Sequence, residues 1–294
     1  MEGLSIVVPV YNEENAVLPT IDQINRIMTE STIPYELIIV NDGSSDRTGE
    51  ILKEYQKKST FRLIDHAINS GYGAALKTGI RNAKFDKIAI TDADATYPNE
   101  RIPEFYHEVE HFHMIVGKRE FRKLPFFTRP AKWFITKLAN YLADYKIPDI
   151  NSGLRVFRKK DAMKFFHIIP SGFSFTTTIT LAMLTNDMQI KYIPIQYMKR
   201  EGKSKIKPFY DTMNFIQLIV RTIMYFNPLK VFIPLSLFLI LLSFIVLAYS
   251  YFALPRVLDV STAILFISGV LMLAIGMLAD LIDKRMHIND GDTG

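Results

Sequence analysis

The 294-residue chain contains no cysteine. Disulfides, thiolate metal sites and a cysteine nucleophile are therefore excluded, and the composition fits a reducing compartment. Tryptophan occurs once, at Trp133. There is no long basic run, and a net charge of +5 is a mild excess, so nucleic acid is not expected as a partner. An anionic membrane surface or a diphosphate ligand suits such a protein at least as well. The opening MEGLSIVVPV is too short and too poor in basic residues for a signal peptide, so the chain is expected to stay in the cytosol. Internal repeats and low-complexity linkers are also lacking, which points to a single soluble domain.

Apolar sequence is plentiful, and it gathers near one end. Leu229 to Phe252 carries Lys230 as its only charge, and Ser261 to Leu278 carries none. About 20 helical residues span a hydrocarbon core of ~30 Å, so both stretches are long enough to cross a membrane. The short ALPRVLDV between them predicts a helical hairpin. Lys230, Lys284 and Arg285 lie at its two ends, against Arg256 in the turn. That bias places both ends, both termini and the N-terminal domain on the cytoplasmic side of a multi-pass protein. The competing reading is a pair of core helices in a soluble protein, which rarely run this long without a polar face. Phe209 to Phe226 and Phe126 to Tyr145 mix apolar and basic residues at helical spacing. Each fits either the membrane interface or ordinary packing on the core.

The first part of the chain alternates short apolar runs with helical patterns. LSIVVPV, YELIIVN, FRLID and KIAITDAD read as strands, with helices after the first three. Alternation of this kind predicts a Rossmann-like α/β fold with a mostly parallel sheet, whose ligands bind at the carboxyl ends of the strands. Three motif-like loops, starting at Tyr11, Asp42 and Asp92, follow strands at that edge. Further on, MIVGKRE, NSGLRVFRKKDAM, FTTTITLAMLTND and IKYIPIQYMKR read as strand, strand into helix, helix and strand.

Asp92 and Asp94 form an Asp-x-Asp at the end of an apolar run, and side chains two apart on a strand share a face. Such a pair can hold a hard divalent cation whose shell is completed by substrate phosphates, or it can simply end a strand. Asp42 can accept hydrogen bonds from a nucleobase or ribose, or serve only to start a helix. The segment GYGAALKTG, with Gly71 and Lys77, is not a Walker loop and lacks the full dinucleotide fingerprint, though its glycines permit close backbone approach to a ligand. REGKSK, from Arg200 to Lys205 with Ser204 in its turn, places three cations together. It suits a diphosphate or lipid phosphate, or is a solvated loop.

Read in order, SIVVPVYNEEN, NDGSSDRT, NSGYGAALKTG, TDADATYP, VGKRE, NSGLRVFRK and REGKSK resemble glycosyltransferase family 2, in particular its polyprenyl-phosphate members, the dolichyl-phosphate mannose or glucose synthases. The resemblance covers about residues 4–206. It implies a GT-A fold, a nucleotide-sugar donor, UDP- rather than GDP-linked, and Mg²⁺ or Mn²⁺. By the same resemblance Pro9, Tyr11, Glu13 and Asp42 hold the nucleoside, and Asp92 and Asp94 carry the metal and donor diphosphate. Arg119, Arg129, Arg200 and Lys205 then stand where the family places cations for donor and lipid phosphates.

Two departures sharpen the expectation. Many inverting relatives place a carboxylate base at the start of the helix after a Phe-x-Phe pattern, where this chain has Thr176, Thr177 and Thr178. A sugar hydroxyl needs a positioned base, whereas a phosphate monoester with its second pKa near ~6 is largely ionised already. A phosphate acceptor is therefore expected, lipid-borne because of the hairpin. Asp149 is the fallback base or acceptor-positioning group, and otherwise a turn residue after Pro148. The Gln-x-x-Arg-Trp motif of processive synthases is missing, since Lys132 precedes the single Trp133.

The expected organisation is a catalytic domain over 1–206, an interfacial helix over 207–228, a transmembrane hairpin over 229–284 and a cytoplasmic tail over 285–294. The expected partners are a nucleotide-sugar, a polyprenyl phosphate and the bilayer, without nucleic acid. A homo-oligomer is compatible with the sequence, which does not set the number of copies. Transfer to a sugar hydroxyl, or an inactive membrane scaffold, are the alternatives.

Overall fold

The computed structural model describes residues 2–120, 137, 140–141, 145–172, 174–198, 217, 220, 224–225 and 227–291, with side chains described as far as Ile282. It contains two compact units, Met1–Phe215 and Ile216–Gly294.

The first unit is built on a seven-stranded sheet. Its strands are β1 (Leu4–Val10), β2 (Tyr35–Asn41), β3 (Arg62–Asp65), β4 (Lys87–Ile90), β5 (Met114–Arg119), β6 (Arg155–Arg158) and β7 (Ile190–Ile195), in the spatial order β3-β2-β1-β4-β6-β5-β7. Pairing is parallel from β3 through β4 and between β5 and β7, while β6 runs antiparallel to both its neighbours. The order turns at β1, with β2 on one side and β4 on the other, which opens the crevice where doubly wound sheets take ligands. All seven residues of β1 are buried, as a strand covered on both faces requires. The helices are α1 (Val17–Ser31), α2 (Thr48–Tyr55), α3 (Tyr72–Asn82), α4 (Ile102–Glu108), α5 (Lys159–Met163) and α6 (Phe175–Thr185).

Pro9 stands in β1, an interior strand of the sheet, where a missing N–H would normally break a ladder. The β1–β4 pairing stops at Val7 and Ile90, so at Pro9 the strand continues beside β2 alone. Helix α6 shows another compromise. It is buried from Phe175 to Met183 although it carries four threonines in that stretch. Thr180 donates to the Thr176 carbonyl at 2.7 Å and Thr177 to Asn151 Oδ1 at 2.6 Å, so these two hydroxyls enter the core already satisfied.

The second unit contains α7 (Leu229–Ala253) and α8 (Asp259–Gly291). The most apolar 18-residue stretch has a mean hydropathy of 2.9 within α7 and 2.4 within residues 259–282. Ser236, Ser243 and Ser250, spaced seven apart, are its buried residues on α7, and Ser236 Oγ donates to the Gly269 carbonyl of α8 at 2.8 Å. Small residues repeating at seven let the two backbones approach closely. Leu237, Phe238, Leu241 and Phe244 remain exposed, which a core helix of a soluble protein would not allow. The backbone of α8 continues to Gly291, so the expected tail from 285 begins as helix. The interfacial helices expected over 126–145 and 209–226 fall almost wholly outside the described residues.

Candidate active site

Strands β1, β2 and β4 are mutually parallel, so the loops at Tyr11, Asp42 and Asp92 do lie at one edge of the sheet. The first two loops are zipped together. Asn12, in the left-handed conformation at φ 56°, accepts the Ser45 N–H at 2.8 Å, and its own N–H donates to Ser44 Oγ at 3.0 Å. The Glu13 N–H donates to Thr48 Oγ1 at 3.0 Å. Tyr11, at the tip, is exposed.

Asp42 is only 3% exposed. Its Oδ1 accepts the Ser70 N–H at 2.9 Å and stands 2.7 Å from His66 Nδ1, while Oδ2 accepts the Gly71 N–H at 2.8 Å. The other ring nitrogen of His66 lies 3.0 Å from Thr78 Oγ1 on α3. Gly71 adopts φ 98°, a region that side chains disfavour, and a Cβ there would lie 2.6 Å from the Ser171 carbonyl oxygen. The close approach anticipated at this glycine-rich loop is thus made by the chain itself. Gly73 and Ala74, at the start of α3, donate to the Gly172 and Ser171 carbonyls at 3.0 and 2.9 Å. Lys77 donates to the Ile169 carbonyl, and burial followed by the charge of Arg81 lowers its pKa. A Cβ on Gly172, by contrast, would meet nothing within 4 Å.

The Asp-x-Asp departs from the expectation that it lies on a strand. Strand β4 ends at Ile90, and residues 92–95 form a turn in which Ala95 adopts φ 55°. Asp94 Oδ1 accepts from the Thr96 N–H at 3.2 Å and its hydroxyl at 2.6 Å, the short-range bonding by which aspartate stabilises turns. The alternation argument for a shared face therefore does not apply. Asp92 Oδ1 accepts from the Tyr72 hydroxyl at 2.9 Å. Gly153 leaves room for the same carboxylate, since a Cβ there would lie 2.8 Å from Asp92 Oδ2. Burial, and next the charge of Asp92, push the Tyr72 hydroxyl well above the usual tyrosine range, so it stays protonated as a donor. Among the described residues no three His, Asp or Glu side chains gather to hold a metal alone. Two hard carboxylates nevertheless fit Mg²⁺ or Mn²⁺, which commonly bind through one or two carboxylates together with substrate phosphates.

On the other side of the crevice, Arg119 at the end of β5 grips Asp149 with two bonds, Nε to Oδ2 at 2.8 Å and Nη2 to Oδ1 at 2.9 Å. Burial pushes the Asp149 carboxyl up, but the hydrogen bonds and charge of Arg119 outweigh it and hold it below the usual range. Burial likewise opposes the Arg119 charge, and the bond to Asp149 overcomes it. A second arginine was missed in the sequence. Arg155 is fully buried and donates to the Ser152 carbonyl at 2.7 Å, the Ile150 carbonyl at 2.8 Å and Thr180 Oγ1 at 2.6 Å. Its only signal was a charge inside the apolar run LRVF. Together the two arginines hold Asp149, Ile150 and Ser152, and Arg155 joins that segment to α6 through Thr180. Arg129, Arg200, Ser204 and Lys205 lie outside the described residues.

A mostly parallel sheet that turns at β1 and carries an Asp-x-Asp beyond β4 defines a GT-A glycosyltransferase fold. The chain belongs to glycosyl transferase family 2, whose pattern matches residues 5–166, and residues 227–284 match the GtrB C-terminal hairpin. It is similar to the low-salt glycan biosynthesis hexosyltransferase Agl6 of Haloferax volcanii, 29% identical over 225 residues, with 74% of this chain and 53% of that protein covered. It is also similar to the undecaprenyl-phosphate 4-deoxy-4-formamido-L-arabinose transferase of Edwardsiella ictaluri, 28% identical, covering 74% and 66%. A dolichyl-phosphate hexose transferase of Haloferax volcanii is 29% identical, covering 71% and 88%. The match thus spans about half of the first relative. Among solved structures, glucosyl-3-phosphoglycerate synthase of Mycobacterium tuberculosis, in complex with Mn²⁺, UDP-glucose and phosphoglyceric acid, has the same fold at a TM-score of 0.60. It is 16% identical, with 76% of this chain and 80% of that one covered.

Proposed function

We propose that this glycosyltransferase moves a sugar from a nucleotide-sugar, UDP- rather than GDP-linked, onto a polyprenyl phosphate at the cytoplasmic membrane face, with inversion. The observation that carries this reading is that, among the described residues, no usable base stands at the start of α6. Helix α6 has no acidic residue in its first turn. Asp149, whose segment bonds that turn through Asn151 and Thr177, is locked to Arg119 with a depressed pKa, which makes it a weak proton acceptor. A sugar hydroxyl would find no base there, whereas an ionised phosphate needs none. The names of the relatives, an undecaprenyl-phosphate transferase and a dolichyl-phosphate hexose transferase, support the same acceptor class.

In this reading an acceptor phosphate oxygen attacks the anomeric carbon from the face opposite the leaving group. The bond from that carbon to the donor diphosphate breaks, and its electron pair departs with the diphosphate. Asp92 and Asp94 would hold a divalent cation, which when bound neutralises charge on the diphosphate. Pro9, Tyr11 and Glu13 flank the nucleoside end. Arg119 braces the acceptor side through Asp149, and Arg129, Arg200, Ser204 and Lys205 supply donors to donor or lipid phosphate. The hairpin anchors the catalytic unit, with the boundaries near 206, 228 and 284 and both termini cytoplasmic.

The test is transfer from labelled UDP- and GDP-sugars into polyprenyl phosphate with Mn²⁺ or Mg²⁺. The expected product extracts with lipid and is labile to mild acid, and Asp94→Ala lowers its formation about a hundredfold or more. A stable, hydroxyl-linked product would overturn the phosphate acceptor while leaving the transferase intact. No transfer from any donor would favour an inactive scaffold.

A further inference from the structure

We infer that Gly153 and Tyr72 are positioning residues for the donor site, seating the Asp92 carboxylate between a bare Cα and a hydroxyl. This rests on the donor reading above and adds two residues to it. Tyr72 opens α3, and its hydroxyl donates to Asp92 Oδ1 at 2.9 Å in the loop after β4. Gly153 comes from the later half of the chain, just ahead of β6. A Cβ built on it would lie 2.8 Å from Asp92 Oδ2, 3.0 Å from Oδ1 and 3.1 Å from Cγ, its three nearest neighbours. The carboxyl group therefore lies flat against Gly153, in the space that a methyl would take.

The requirement for glycine at this position is steric and not conformational. Its φ is not positive, unlike those of Gly3, Gly43 and Gly71, so alanine fits the backbone and the whole cost falls on Asp92. The wall that Gly153 forms is also held in place. Its N–H donates to the buried Tyr97 hydroxyl at 2.7 Å, while Arg155 holds the Ile150 and Ser152 carbonyls and Arg119 clamps Asp149. With the backbone fixed at these points, an added methyl displaces the carboxylate. Removing the Tyr72 hydroxyl frees the same group to turn. Partners that orient a metal-site carboxylate are commonly worth about 10–100-fold in metal affinity or activity.

The experiment uses the full chain in detergent and has two readouts. Without metal or nucleotide, Gly153→Ala should lower the melting temperature, since the methyl overpacks the site. In an Asp92→Ala background the same substitution should leave the melting temperature unchanged, because the methyl then has room. Calorimetry with UDP and Mn²⁺ gives the second readout. Gly153→Ala and Tyr72→Phe should each weaken Mn²⁺-dependent UDP binding about tenfold or more. Combined, they should cost less than the product of the two effects, since both act through one carboxylate. Donor KM should rise while the KM for polyprenyl phosphate stays within about twofold, whereas general loosening of the fold would move both. If Gly153→Ala costs as much stability in the Asp92→Ala background, or if either single variant binds UDP with Mn²⁺ as wild type does, the inference fails alone. If wild type binds neither UDP nor GDP with Mn²⁺, the donor reading fails and takes the inference with it.

Discussion

Asp42 and Asp149 are buried equally, each with its side chain 4% exposed, yet they are held in different ways. Around Asp42 the partners are two backbone N–H groups and an imidazole, distributed along a loop. Asp149 faces one guanidinium that makes both side-chain bonds, with the Arg119 and Asn151 N–H groups adding support. The first arrangement ties a carboxylate to the conformation of a chain segment. The second ties it to a single side chain, and so fails abruptly when that side chain is lost.

The largest effect should therefore come from Arg119→Met, which strands a buried charge at Asp149 and should cost about 3–5 kcal/mol in thermal or urea unfolding. Adding Asp149→Leu should recover most of that loss. If it does not, Asp149 depends on its backbone donors as Asp42 does, and the contrast collapses. Asp42→Asn should cost less, about 2 kcal/mol, because only one of its contacts turns from attraction to a clash of donors. The pH dependence should separate the two sites further. The Asp149 pKa is lower folded than unfolded, so its contribution is complete above the unfolded value of 3.8 and disappears as pH falls through the folded value. Melting wild type and Asp149→Asn over an acid series should show their stability gap closing below about pH 4, with no closure between pH 5 and 8. The smallest effect belongs to Thr78→Val, which removes only the outer end of the His66 bridge and should cost about 1 kcal/mol or less.

The frame of the fold was legible because it rests on local patterns. YELIIVN became β2 with the same ends, and the coincidence of three loops at one edge followed from parallel strands. The Asp-x-Asp was legible as a motif but not in its geometry. A strand pattern says nothing about where side-chain bonding, as from Thr96 to Asp94, will turn the chain. The roles of Gly71, Lys77 and Asp42 were hidden for another reason. Their partners at Ser171, Ile169 and Ser70 lie far along the chain, and only the assembled fold brings them together. Arg155 shows the same limit, since an arginine in an apolar strand looks like an exception until Ile150, Ser152 and Thr180 surround it.

Gly172 offers a practical opening. It sits on the turn that closes the start of α3, has open space where a side chain would project, and belongs to a chain without cysteine. Gly172→Cys would create a single thiol, addressable by a fluorophore or spin label with no background to remove. Such a reporter would stand at the junction between the glycine-rich loop and the segment leading to α6. Its mobility could then record, in real time and in the membrane, whether filling one half of the crevice stills the other.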